Sequence, residues 1–159
     1  MSEGVFQSLT QPANGKPHHP LISCIDSCGT GAYHVGDAPD PRTMATLRKN
    51  GITQYRHRAR KFRHPEDWDE FDYILAMDDD NLEDLQRLRA REVKRRGGDE
   101  EGMGKCMLFG EFGGRKRRGG RGEEVVDPYY GGGEGFEAAF EQAGRFSRAF
   151  LEELEAGRL

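Results

Sequence analysis

Short apolar runs alternate with stretches of helical periodicity along the chain. Three runs bounded by turn-forming residues have the length and composition of buried strands, at residues 21–26, 72–77 and 106–109. Around them, apolar positions recur every three or four residues, which predicts helices that bury one face. The predicted helices cover residues 2–9, 41–49, 64–70 and 78–88, with a long final helix from about residue 136 to Gly157.

The order of these elements predicts the fold class. Strands that alternate with helices are typical of an α/β fold, here a three-layer sandwich whose small twisted parallel sheet is covered by helices on both faces. Three helix starts carry candidate capping residues, namely Ser2 at the first helix, Asp40 ahead of Pro41, and Asp78–Asp80 at the fourth helix. One feature is unusual. The chain begins with a helix, whereas such sheets usually begin with a strand whose following loop binds the ligand.

Composition narrows the class of protein. A length of 159 residues suits a single domain, residues 1–159, and a net charge of -4 does not indicate a nucleic-acid-binding protein. Fourteen of the 22 glycines lie between Gly97 and Gly135, which predicts insertions rich in Gly and charge at residues 94–104 and 110–122. With no long apolar run and no recognisable secretory signal, the sequence predicts a cytoplasmic protein without a membrane partner.

Two local motifs suggest other chemistry. The segment RKRRGGRG at residues 115–122 places five basic residues in one loop, which could contact a nucleic-acid backbone. Because no aromatic residue lies among them, a solvated insertion is the alternative, and a nucleic-acid partner is not expected. Cys24 and Cys28 are four residues apart, but no second pair has zinc-ligand spacing, so neither a metal nor another cofactor is expected.

Seven segments, taken in order, resemble the low-molecular-weight protein tyrosine phosphatases. They are SEGVFQSLT, IDSCGTGAYHVGDAPDPR, NGI followed by HRARK, FDYILAMDDDNLEDL, MLFGEF, VVDPYYGG and GFEAAFEQ. Together they span nearly the whole chain apart from the two predicted insertions. The resemblance implies that the family function is hydrolysis of a phosphotyrosine protein or a small aryl phosphate through a cysteinyl-phosphate intermediate.

The family's nucleophile signature is not found in this sequence. In the family, a Cys and an Arg six positions later lie in a loop between the first strand and the first helix, where backbone N–H groups and the Arg hold the phosphate and lower the pKa of the thiol. The residues six positions after the three cysteines are Thr30, His34 and Phe112. The chain therefore resembles a family member whose first, central strand and phosphate loop are absent. As written, it is expected to be inactive and poorly stable.

The resemblance also assigns a general acid. Asp127, in the segment Asp-Pro-Tyr-Tyr, matches the family residue that protonates the departing phenolic oxygen. Pro128 restricts Asp127 to extended geometry, which suits a fixed reach from a loop. An ordinary turn is the alternative explanation of an Asp-Pro pair.

Five further residues match positions around the family's site. Tyr129 and Tyr130 match aromatic residues at the mouth that receives the phosphotyrosine ring, and Tyr33 matches the opposite wall. Ser27 and His57 match polar residues that brace the phosphate loop by hydrogen bonds. Taken alone, each could equally be a packing aromatic or a solvated polar residue.

Three other functions stay open at this point. One is a non-catalytic pseudo-phosphatase or binding module, and a second is weak RNA binding through residues 115–122. The third is an arsenate reductase on the same scaffold, which the segment DPYY disfavours, because an acid beside aromatic residues suits an aryl phosphate. The sequence predicts no oligomeric state.

Overall fold

A computed structural model describes residues 1–11, 19–31, 35–128 and 133–159. Within these ranges the chain forms five α-helices and two β-strands. In chain order they are α1 (Ser2–Thr10), α2 (Pro41–Lys49), α3 (Glu66–Glu70), β1 (Tyr73–Ala76), α4 (Asp79–Arg95), β2 (Lys105–Leu108) and α5 (Gly133–Glu155). All five predicted helices are present, and two of the three predicted strands are.

The two strands form a parallel sheet whose two faces are both buried. In the register of the pair, Ala76 of β1 lies opposite Leu108 of β2. Successive side chains of a strand point to opposite faces, so Ile74 and Ala76 pack with the leucines of α4. Tyr73 and Leu75 pack on the other face with the phenylalanines of α5. The prediction of an α/β fold with a parallel sheet between helices is therefore confirmed.

Helix α5 is the centre of the layer on its side of the sheet. Both α1 and α2 pack against it, and Ala143 and Phe146 have no solvent exposure. Phe146 also meets Phe109, which directly follows β2, with the two ring centroids 5.5 Å apart and the ring planes nearly perpendicular. The recurrence of apolar residues every three or four positions is what lets one long helix bury such a continuous stripe.

Two of the three predicted helix caps are confirmed, and the third, at α1, is wrong, because no side chain caps that helix. The Asp40 side chain accepts a hydrogen bond of 2.7 Å from the backbone N–H of Arg42. The Asp78 side chain accepts one of the same length from Asn81, in the first turn of α4. Each cap satisfies a backbone donor that the helix itself leaves unpaired.

The predicted strand at residues 21–26 is wrong. The segment is irregular, and the backbone N–H groups of Ser23, Cys24 and Ile25 find no hydrogen-bond partner in the described part of the chain. Leu21 is 54% exposed. A strand exists only through its ladder to a neighbour, and no described residue forms such a ladder with this segment.

The two predicted insertions are more ordered than their composition suggests. Residues 94–104 begin inside α4, which continues to Arg95. In its last turn the Glu92 carboxylate accepts hydrogen bonds from the guanidinium groups of Arg95 and Arg96. In the second, Gly110 pairs with Glu123. A Cβ at Gly110 would lie 1.7 Å from the carbonyl oxygen of Glu123, so only glycine fits there. That residues 1–159 form one domain stays a prediction.

None of the helices in the described ranges combines the length and the apolar composition required to cross a bilayer.

Candidate active site

A buried carboxylate, that of Glu3, is the centre of a polar cluster. Its side chain is 4% exposed. Three polar atoms converge on Oε2, namely Ser27 Oγ at 2.5 Å, Tyr55 OH at 3.0 Å and His57 Nδ1 at 3.1 Å. The other oxygen, Oε1, accepts a hydrogen bond of 2.8 Å from Gln7 Nε2. We name Glu3, Ser27, Tyr55 and His57 the Glu3 cluster.

Helix α1 positions the central carboxylate. Glu3 lies in the first turn of α1, where a negative charge is favoured by the helix dipole. The next residue, Gly4, lies directly against the Tyr55 ring, and a Cβ there would come within 3.0 Å of the ring. The absence of a side chain at Gly4 thus allows Tyr55 to approach close enough for its hydroxyl to reach Glu3.

Tyr55 and His57 are held side by side. Their rings are stacked, with centroids 6.5 Å apart and planes 6° from parallel. Burial and the neighbouring Glu3 charge raise the pKa of the Tyr55 hydroxyl well above its usual range. Tyr55 therefore remains a protonated donor to the carboxylate at every physiological pH, which fixes the direction of this hydrogen bond.

A second set of charges continues the cluster toward α3. His57 Nδ1 lies 3.8 Å from Asp26 Oδ1, and Arg60 Nε donates to Asp26 Oδ2 at 2.6 Å. The same guanidinium donates from NH1 to Asp67 Oδ2 at 2.6 Å, and Asp67 is 1% exposed. Burial works against ionisation of Asp67, but its hydrogen bonds from Arg60 prevail and lower its pKa.

Glu3, Asp26 and His57 are also the one group of described side chains that could reach a common metal ion, with ligand atoms within 4.8 Å of one another. Glu3 Oε2 is already contacted by three polar atoms of the protein, and Asp26 is paired with Arg60. Contacts within the protein thus satisfy the carboxylates of Glu3 and Asp26.

None of the three thiols is in an environment that activates it. Burial raises the pKa of Cys106 to about 11. The pKa of Cys24 and that of Cys28 are also raised, by partial desolvation and by the nearby Asp26 carboxylate, although both residues are exposed. A thiol must lose its proton to become a nucleophile, so these environments work against catalysis by any of them.

The predicted general acid lies on the surface. Asp127 is exposed and precedes α5. Its neighbours are anchored to that helix, because Val126 N donates to Gln142 Oε1 at 3.3 Å and Pro128 packs against Gly135. These contacts hold the residues on either side of Asp127 against α5.

The predicted site residues are therefore only partly brought together. Ser27 and His57 meet at Glu3. Tyr33, Tyr129 and Tyr130 lie outside the described residues, so their predicted role at the mouth stays a prediction. Sequence reasoning missed Glu3 and Tyr55. The available signal for Glu3 was an acidic residue one helical turn before Phe6, on the same side of α1.

The basic loop at residues 115–122 is held against acidic groups. The guanidinium of Arg117 donates to both carboxylate oxygens of Asp79, at 2.9 and 3.0 Å. Arg121 lies 3.6 Å from the same carboxylate, and Lys116 pairs with Glu111 at 2.7 Å. Cations already paired within the protein are less available to a phosphate backbone, which disfavours the RNA-binding alternative.

Comparisons with known proteins agree with this fold and identify the family. The family model described as low molecular weight phosphotyrosine protein phosphatase matches residues 1–158. A protein of that name from Schizosaccharomyces pombe is 42% identical over 154 residues, which are 97% of this chain and 87% of that protein. The one from Sus scrofa is 36% identical over 154 residues, covering 97% of this chain and 86% of that protein.

A solved structure shows the same architecture. A protein tyrosine phosphatase from Entamoeba histolytica, crystallised with Hepes in its active site, superposes with a TM-score of 0.77 at 28% identity, covering 99% of this chain and 89% of that chain. Fold and sequence together define the class as protein tyrosine phosphatases, which are hydrolases. Within that class, the chain belongs to the low molecular weight phosphotyrosine protein phosphatase family.

The ion pairs of the scaffold predict acid sensitivity. Hydrogen bonds from Arg95 and Arg96 lower the pKa of Glu92 from 4.5 to about 2, and one from Arg145 does the same for Glu123. Because the folded-state pKa is depressed, the stabilisation is complete above pH 4.5 and is lost as the pH falls toward 2. The free energy of unfolding, measured in urea from pH 6 to 2, is expected to decline over this interval.

Variants on α4 separate this effect from general acid denaturation. Glu92→Gln is expected to flatten the decline in the free energy of unfolding between pH 4.5 and 2. Glu83→Gln, at an exposed position of the same helix, is the matched control and should leave the decline unchanged. Equal slopes for both variants would show that Glu92 is not linked to stability in this way.

Proposed function

We propose that the chain is the scaffold of a phosphotyrosine hydrolase in which the Glu3 cluster braces the phosphate-binding loop and Asp127 is the proton donor. The observation that carries the proposal is the meeting of Ser27 and His57 on one buried carboxylate. Both residues match family positions that brace the loop. Side chains fixed by hydrogen bonds to a charged, buried partner are well suited to hold a loop in one geometry.

The chemistry needs a thiolate that the family supplies from its Cys-x5-Arg loop. The thiolate attacks phosphorus, a P–S bond forms, the P–O bond to the phenol breaks, and Asp127 gives its proton to the departing oxygen. In the second step Asp127 accepts a proton from water. The oxygen of that water attacks phosphorus, the P–S bond breaks, and inorganic phosphate is released. The exposed position of Asp127 is compatible with both transfers.

We also propose that the 159 residues do not catalyse this reaction unaided. No cysteine among them has Arg six positions later. The pKa values of all three thiols are raised, in contrast to the lowered pKa that a thiolate nucleophile requires. The phosphate would also lack the guanidinium that binds it with two parallel hydrogen bonds.

The test compares the chain with an extended form. The extension joins a strand-forming segment and a loop of Cys, five residues and Arg ahead of Met1, and its control carries Ser in place of that Cys. We expect hydrolysis of p-nitrophenyl phosphate by the extended chain only, since loss of a catalytic nucleophile costs on the order of 10⁶-fold in rate. A folded but inert extended chain would contradict the proposal and favour a binding-only function.

A further inference from the structure

The basic loop at residues 115–122 is a closed turn with a defined backbone. Arg117 Nε donates to the carbonyl oxygen of Gly122 at 2.6 Å, and the Arg117 amide donates to the carbonyl oxygen of Arg121 at 2.8 Å. Gly119 and Gly120, at the tip, have φ angles of 92° and 82°, a region that glycine enters without strain. Because the backbone is held in this way, a ligand that binds the loop has less conformational freedom to remove.

The cations of the loop are not all used inside the protein. Arg117 is turned inward, with its guanidinium on Asp79. Arg115 and Arg118 are exposed, and neither side chain has a hydrogen bond or an ion pair with any residue that the structure describes. Arg121, whose side chain is 60% exposed, has only a contact of 3.6 Å with Asp79. Guanidinium groups at every third residue of the loop are therefore available to a ligand outside the protein.

The basic loop adjoins the segment that carries Asp127. The Arg115 amide donates to Glu123 Oε2 at 2.9 Å, and Gly110 pairs with Glu123 where the insertion begins. Asp127 lies four residues beyond Glu123. A chain spans at most about 3.6 Å per residue, so the backbones at these two positions are no more than about 14 Å apart. The available arginines and the exposed Asp127 thus lie in one region of the surface.

The chemistry of the loop favours a short acidic segment of a polypeptide. A guanidinium binds a carboxylate with two parallel N–H donors. Because the net charge of the protein is -4, an acidic ligand is attracted only by a local cluster of cations. A nucleic acid is usually held by a longer row of cations along its phosphate backbone. Acidic side chains spaced along a peptide match the few arginines that the loop offers.

We propose that the basic loop selects phosphotyrosine polypeptides that carry Asp or Glu three to five positions from the phosphotyrosine. The proposal rests on the proposed function, which places the phosphotyrosine beside Asp127. An extended polypeptide advances about 3.3 Å per residue, so acidic residues at this separation lie about 10–17 Å from the phosphotyrosine. That range matches the separation of Glu123, beside Arg115, from Asp127. The arginines act on substrate binding and take no part in the chemical steps.

The experiment measures binding by the 159-residue chain, so it does not require catalysis. The ¹⁵N-labelled chain is titrated with EEEAApYAAEEE and, separately, with QQQAApYAAQQQ in about 20 mM NaCl, and dissociation constants are obtained from NMR chemical shifts. We expect the acidic peptide to bind at least fivefold more tightly, with the largest shifts at the Nε–H signals of Arg115 and Arg118. In about 0.5 M NaCl the difference should fall below twofold, because salt screens exposed charges. Equal affinity at low salt would overturn the proposal.

Two double variants show where the acidic residues bind. Arg115→Gln with Arg118→Gln is expected to bring the affinity for the acidic peptide within twofold of that for the neutral one. The control, Arg91→Gln with Lys94→Gln, makes the same change in net charge at exposed positions of α4. Arg91 is 12 residues beyond Asp79, about 18 Å along the helix, so the control should keep the preference. Equal loss in both double variants would mean general charge attraction and contradict the proposal.

Two further measurements separate this proposal from its alternatives. An oligouridylate of about twelve nucleotides that binds the same arginines at least tenfold more tightly than the acidic peptide would assign the loop to nucleic acid instead. In the extended chain, we expect kcat/KM to be about fivefold higher for the acidic peptide, through a lower KM at equal kcat. Equal kcat/KM for the two peptides would contradict the proposal. Hydrolysis of neither peptide would count against the proposed function, since the preference in binding is measured without catalysis.

Discussion

Replacing Asp127 with Asn in the extended, Cys-containing chain is expected to lower kcat for phenyl phosphate by about 10²–10⁴-fold, the usual contribution of a positioned general acid. Asn has nearly the shape of Asp but cannot give a proton to the departing phenolate. The phenolate is a strong base, so without a proton it leaves slowly. The measurement is steady-state hydrolysis at the pH of maximal rate, with the kcat values of the two enzymes compared at equal active-site concentration.

The leaving group separates proton donation from a structural effect. With p-nitrophenyl phosphate, whose leaving group is a weaker base, the loss in kcat should be much smaller than with phenyl phosphate. Asp99→Asn changes another exposed carboxylate in a loop and serves as the control, with no loss for either substrate. An equal loss for both substrates in Asp127→Asn would mean that Asp127 is not the proton donor.

Replacing Glu3 with Ala is expected to cost about 2–4 kcal/mol of the free energy of unfolding. Hydrogen bonds to a charged acceptor contribute about 1.5–3 kcal/mol each, and Glu3 is the shared acceptor for Tyr55, a buried residue, and for Ser27. Since a domain is stable by roughly 5–15 kcal/mol in total, this is a large fraction. The urea midpoint at pH 7 should fall with an unchanged m-value.

Two variants on α1 show whether the loss comes from the shared acceptor. Glu3→Gln keeps an acceptor oxygen of the same reach, so it is expected to lose less stability than Glu3→Ala. Gln7→Ala removes a single donor to the other oxygen of Glu3 and should cost only about 0.5–1.5 kcal/mol. If all three variants lost the same free energy, the hydrogen bonds to Oε2 would not be what stabilises this region.

Local patterns correctly predicted the strands and helices that pair or pack with other elements of this chain. The apolar run at β1 pairs with the run at β2, and the periodicity of α5 buries Phe146 completely. The run at residues 21–26 also looked strand-like, but a strand forms only when a second segment pairs with it. Without a partner beside it in the described ranges, the same sequence stays irregular.

The candidate site was predictable only in part, because its centre is an interaction between distant segments. The family resemblance identified Ser27 and His57 as candidates, but the sequence did not show that both contact Glu3. Glu3 alone is an ordinary first-turn acid, and nothing local shows that Gly4 lets Tyr55 approach it. The basic loop at residues 115–122 was likewise predictable only in part. Its composition suggests a free basic loop, whereas Arg117 is bound to Asp79, a residue far away in the sequence.

The most direct measurement is the hydrolysis of p-nitrophenyl phosphate by the purified 159-residue chain, compared with a variant in which Cys24, Cys28 and Cys106 are all Ser. We expect both proteins, shown to be folded by circular dichroism, to release p-nitrophenol no faster than buffer does. Turnover by the original chain that disappears when one of the three cysteines is replaced would contradict this expectation, because a nucleophile would then be present where none is proposed.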